Sequence, residues 1–261
     1  MRYALCALRA EWTKLRTAGG AVGLLALAVV LTVGLGAGTA QGAMCPGPGC
    51  GEDGVRIALT GVVLGQAVVA IAAVLTVSGE YGTGMIRTTF TAVPHRIAAF
   101  TAKAAVLTGA VLAAGALAVL GSLLAGRYLL PGRGFTAANG YPPLSLSDGP
   151  TLRAAVGSVL YLALVALLAL GVATAVREAA SAIGTVLGLL YLFPVVAHVV
   201  GDPEWQRHLQ QISPMTAGLA VQSTTHLDKL PIGPWAGLGV LAAWAAAALL
   251  GGGVLLRLRD A

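Results

Sequence analysis

Residues 154–200 read AAVGSVLYLALVALLALGVATAV, then Arg177-Glu178, then AASAIGTVLGLLYLFPVVAHVV: two uncharged runs of 23 and 22 residues parted by two charges. At about 1.5 Å rise per residue, helices of this length cross a hydrocarbon core of about 30 Å. Backbone groups deprived of water must bond within each helix, and a two-residue link makes the helices antiparallel neighbours. Four more stretches lack Asp, Glu, Lys and Arg: 21–38, 57–78, 104–126 and 235–256. Together the six runs are about half of the 261 residues. The chain is 57% hydrophobic and 10% charged, against about 45–50% and about 25% in soluble domains. This balance excludes a soluble enzyme, a disordered chain and a nucleic-acid binder whose net charge of +6 serves phosphate contacts. The expected fold is all-α, a polytopic membrane protein with six transmembrane helices in one domain spanning 1–261.

Lysine and arginine set the expected orientation. Ten of the sixteen lie on the side of the termini: Arg2, Arg9, Lys14, Arg16, Arg87, Arg96, Lys103, Arg177, Arg257 and Arg259. Both termini are therefore expected in the cytoplasm. The first apolar run starts after about 20 residues without a distinct small-x-small cleavage context, so it is expected to be a retained span. Residues 1–19 differ: Leu5, Leu8, Trp12 and Leu15 recur at helical spacing among charges. That pattern suggests an amphipathic interfacial helix anchored by Trp12, Lys14 and Arg16, against the plainer reading of a solvated tail. Cys6 falls inside. Cys45 and Cys50 fall in the first outer loop, where the two thiols either close a disulfide across Pro and Gly or stay free.

Glycine numbers 36. Gly61-Val-Val-Leu-Gly65 and Gly184-Thr-Val-Leu-Gly188 are small-xxx-small patterns that let helix backbones approach, although an Ala/Gly-rich chain also yields such matches by chance. Pro194 should kink or end the fifth span. Breakers at Pro203, Pro214, Pro231 and Pro234 divide 201–234 into short helices expected to dip against the outer interface.

The six runs hold no ionisable carboxylate or cation, which disfavours ion-coupled transport through a charged relay. Gln66 is the most polar side chain near a span centre, and His198 lies near an outer end. Neither a Walker A pattern nor H-E-x-x-H occurs, and His95, His198, His208 and His226 are dispersed. The chain is expected to carry no catalytic residue, metal or cofactor of its own. Energy for moving a solute uphill would have to come from a partner.

Such a partner is suggested by the loop between the second and third spans, 79–103. It contains Glu80-Tyr81-Gly82-Thr83-Gly84-Met85-Ile86-Arg87, a short apolar and threonine stretch with Phe90, then Pro94-His95-Arg96. Here the sequence resembles the membrane subunit of type-2 ABC transporters, exporter-like permeases that pair with a separate ATPase. Residues Ala10-Glu11-Trp12-Thr13-Lys14-Leu15-Arg16-Thr17 also resemble the N-terminal segment common in such permeases from high-GC bacteria. With six spans and broken helices before the last, the resemblance covers nearly the whole chain. It implies a cytoplasmic coupling element formed by Glu80, Tyr81, Gly82, Thr83, Gly84, Met85, Ile86, Arg87, Phe90 and Pro94. It implies as partners an ABC ATPase holding ATP and Mg, a second permease copy or paralogue, and membrane lipid, in a bacterial plasma membrane. The residues are compatible: Met85, Ile86 and Phe90 offer an apolar face, and Arg87 suits a partner carboxylate. The alternative function is a non-transporting six-span scaffold or sensor.

Overall fold

The computed structural model describes residues 2–17, 19–82 and 96–258. Among them there are helices and no strands, and six helices are long and apolar enough to cross a membrane. The protein is an all-α, multi-pass membrane protein. A separate helix, α1 (Arg2–Thr17), precedes the first span, α2 (Gly19–Gly42). The short α3 (Gly54–Ala58) leads into α4 (Val62–Gly82). The remaining spans are α5 (Arg96–Leu129), α6 (Gly149–Val176), α7 (Ala179–Val199) and α10 (Pro234–Leu258). Between the last two lie α8 (Pro203–Ile212) and α9 (Pro214–Leu219).

Several boundaries differ from those read in the sequence. The run 57–78 is not one helix: a turn at 59–61 separates α3 from α4, and α4 continues to Gly82. Glu80, Tyr81 and Gly82, assigned to a loop, form the last turn of that span. At the other side of the loop α5 begins at Arg96, so Lys103 is also helical. α4 and α5 thus extend beyond the uncharged runs counted in the sequence and carry Glu80, and Arg96 and Lys103, outside them. Low charge density marks only the length of helix in hydrocarbon, whereas helices run on until capped or broken. Pro194 sits inside α7, which extends past it to Val199 rather than ending there.

α4 and α6 form the centre. α6 packs most extensively on α10 and also touches α4 and α5, while α2 lies against α4 and α5. Close approach depends on missing side chains. A Cβ at Gly61 would fall 1.9 Å from Thr32 O, and one at Gly65 would fall 2.1 Å from Thr32 Oγ1, so the first glycine pair is the α2–α4 contact. Gly171 and Gly252 do the same between α6 and α10. Among the described residues, a Cβ at Gly184 or Gly188 would meet nothing within 4 Å, so the second pair makes no such close approach to another helix there.

Gln66 is fully buried among these helices. Its Oε1 accepts a hydrogen bond from the Tyr161 hydroxyl, and its Nε2 donates to Val63 O at 3.1 Å. The Tyr191 hydroxyl donates to that same carbonyl, so α4, α6 and α7 share one buried polar lock.

The segment 203–230 folds back onto the bundle away from the termini. α9 is inserted, with Pro214, Ala217 and Gly218 buried, while α8 buries none of its residues. Asp53, the N-cap of α3, accepts from Thr224 Oγ1 at 2.8 Å and from the Thr225 amide at 3.2 Å. Arg153 donates to Ser223 O at 2.6 Å. Cys45 and Cys50 are joined by a disulfide at this end, resolving the pairing left open by the sequence.

Candidate functional site

Where α1 meets the bundle, four charged side chains form a closed ring. Lys14 Nζ donates to Glu11 Oε1 at 2.7 Å and to Glu80 Oε1 at 2.9 Å. Lys103 Nζ donates to Glu11 Oε2 at 2.6 Å and again to Glu80 Oε1 at 2.9 Å. Each lysine bridges two carboxylates and each carboxylate is shared by two lysines. The ring carries no net charge, and its members come from α1, α4 and α5. The side chains of Glu80 and Glu11 are 6% and 7% exposed, that of Lys103 13%, and that of Lys14 27%. A third weak contact, Lys103 Nζ to Thr76 O at 3.4 Å, completes the acceptors around that ammonium.

Local structure explains the geometry. Glu11 and Lys14 are three residues apart, hence on one helix face. Ala7, Glu11 and Leu15 are the buried face of α1, four residues apart, and they face the bundle. The apolar stripe read from Leu5, Leu8, Trp12 and Leu15 thus coincides with the face against protein only at Leu15, while Trp12 is 48% exposed. Glu11 turns inward because two ammonium groups await it. Burial acts to lower the Lys14 pKa, but hydrogen bonds and Coulomb attraction from Glu11 and Glu80 outweigh it and hold the ammonium above its ordinary value of 10.5.

Next to the ring, Tyr81 at the end of α4 lies beneath Arg177, whose guanidinium carbon is 5.3 Å from the ring centroid. Arg177 closes α6 in a left-handed conformation, φ 66°, with its amide bonded to Ala173 O at 2.8 Å. Glu178 then caps α7, its carboxylate bound by Ser181 and Ala180 and held below the usual glutamate range by those bonds. The whole end of α4 is thereby tied to α1, α5 and the α6–α7 turn.

Of the residues singled out in the sequence, Glu80 and Tyr81 are at this site and Gly82 ends the helix. Lys14 is a member of the ring; Trp12 and Arg16 are exposed outside it. Thr83, Gly84, Met85, Ile86, Arg87, Phe90 and Pro94 lie outside the described residues. Glu11, Lys103 and Arg177 were not singled out as site residues. The Glu11/Lys14 spacing was a readable signal. The pairing with Lys103, 92 residues from Glu11, was not. Among the described residues no group of His, Cys, Asp and Glu is arranged to hold a metal. Compared with known proteins, the chain matches no family and no curated sequence.

Proposed function

We propose that this chain is the membrane-spanning permease subunit of an ATP-binding cassette transporter, exporting an amphiphilic or hydrophobic substrate. A separate ATPase subunit supplies the energy with ATP and Mg, and a second copy or paralogue completes the pathway. In this reading the termini and the segment 83–95 face the cytoplasm of a bacterial cell.

One observation carries the reading. The ring clamps both roots of segment 83–95, through Glu80 before it and Lys103 after it, to the same helix α1. A push on that segment therefore reaches α1, α4 and α5 together instead of dissipating in a slack loop. An ATPase docked there would move three helices as one lever, which is what a power stroke from a soluble engine requires. The resemblance of residues 80–96 to the coupling element of type-2 permeases supports the same reading.

The test is to look for a neighbouring reading frame that encodes a soluble ATPase, whose absence weakens the reading, and to reconstitute this chain with that ATPase. Arg87→Glu is expected to lower chain-stimulated ATP hydrolysis at least tenfold while membrane insertion is unchanged. Undiminished co-purification and hydrolysis with that variant would remove the docking assignment, and the absence of any stimulation by the wild-type chain would leave a six-span scaffold.

A further inference from the structure

The ring sets the depth of α1 in the membrane. Glu80 stands two residues beyond the uncharged run 57–78, and Lys103 immediately precedes the run 104–126. Both mark the level at which hydrocarbon gives way to polar head groups. Lys14 Nζ is held 2.9 Å from Glu80 and Glu11 is held 2.6 Å from Lys103, so the middle of α1 lies at that same level.

The same bonds set its rotation. Glu11 is turned into the bundle with Ala7 and Leu15. Arg9, Trp12 and Arg16, at i, i+3 and i+7, share a different face and are exposed. Glu11 is the one carboxylate in the sequence of α1, and the ring consumes it. The outward face keeps two guanidinium groups and no acid, and neither guanidinium pairs with a carboxylate among the described residues.

We infer that this face docks on anionic glycerophospholipids of the leaflet at this end of the bundle, with Trp12 seated at the head-group level and Arg9 and Arg16 each binding a lipid phosphate. Three properties select that occupant. An indole is apolar in body and polar at one edge, which suits the membrane interface. A guanidinium fork matches the oxygens of a phosphate. Choline and ethanolamine lipids bring an ammonium of their own, so a lipid with net negative charge is the better complement to a face from which the acid has been withdrawn. The chain passes from α1 into the span α2 at Gly19, which keeps the face within reach of the bilayer. The interaction needs no ATPase and does not depend on the proposed transport activity.

Delipidated chain in detergent is given equal amounts of palmitoyl-oleoyl phosphatidylglycerol and palmitoyl-oleoyl phosphatidylcholine, which differ in head group alone. Native mass spectrometry is expected to find the first retained at least about fivefold over the second. Arg9→Gln/Arg16→Gln is expected to bring that ratio below about twofold, with an unchanged melting midpoint because both side chains are exposed and outside the ring. Arg56→Gln/Arg133→Gln removes the same charge from exposed positions at the opposite end of the bundle and is expected to leave the preference as it is in the wild type. Equal retention of the two lipids by the wild-type chain, an undiminished preference without Arg9 and Arg16, or the same fall in both double variants overturns the inference.

Discussion

Lys103 shows how much one side chain can decide. Removing its ammonium leaves Glu11 and Glu80, both nearly buried, to share Lys14 alone. Breaking a buried ion network by deleting one partner typically costs about 3–5 kcal/mol, because the remaining charge stays desolvated. Lys103→Met is therefore expected to lower the melting midpoint in detergent markedly, and Lys14→Met less, since Lys14 is the more exposed of the two cations. Alkali should act on the same ring. The Lys14 pKa is raised in the folded state, so its contribution is whole below the ordinary lysine value of 10.5 and is lost as pH rises through the higher folded value. Melting midpoints measured from neutral pH upward should show this loss only above about pH 10.5, and a Lys14→Met protein should show less of it. A wild-type midpoint flat through that range would mean the ring contributes little. Glu80 was legible in the sequence because a motif pointed at it. Its cations were not, because one of them stands 66 residues away on a segment read as an amphipathic interfacial helix.

At the scale of the helix, the two small-xxx-small patterns look alike in sequence and behave differently in the fold. Gly61 has the backbone of Thr32 where a methyl group would stand, while Gly184 has open space. Gly61→Ala must push α2 from α4 and should destabilise by about 1–3 kcal/mol, the usual cost of overpacking. Gly184→Ala should be neutral or stabilising by up to about 1 kcal/mol, since alanine is the better helix former. Thermal unfolding of the two variants side by side checks the contrast, and equal midpoints would contradict the α2–α4 contact. The helices themselves were legible from charge-free runs. Their ends were not: α4 gains Glu80 and Gly82, α5 gains Lys103, and α3 breaks away at 59–61. A hydropathy run measures what the solvent around a helix tolerates, and the hydrogen-bond ladder continues beyond it wherever another helix provides partners.

Across the whole molecule, the six spans have mean hydropathies of 2.0 to 2.6, yet 61% of the most apolar window is buried in α4 and in α6 against 17–28% in the others. Apolarity alone therefore cannot rank spans from centre to rim, because lipid and protein interior select the same side chains. The two ends of the bundle are chemically distinct. One has α1, the ring and the Arg177–Glu178 turn; the other has the disulfide loop and the Asp53 contacts to 224–225. Lysine and arginine predominance on the first end predicts that it is cytoplasmic. Cys6 is free and exposed there. A membrane-impermeant maleimide should label Cys6 only after cell lysis, and should label Ser147→Cys, exposed on the opposite end, in intact cells. The reverse pattern would invert the topology and with it the docking side of segment 83–95.

Composition, run length and the two-residue hinge at Arg177-Glu178 were enough to determine an all-α chain with six crossings, since only helices and closed barrels bond their whole backbone in hydrocarbon, and runs of 18–23 uncharged residues far exceed the about 9–11 of a barrel strand. The placement of α4 and α6 at the centre, the choice of which glycines touch, and the meeting of Glu11, Lys14, Glu80 and Lys103 were decided only in three dimensions. Each depends on which helices become neighbours, and a contact between residues 66 or 92 positions apart is set by the packing of whole helices rather than by any local pattern.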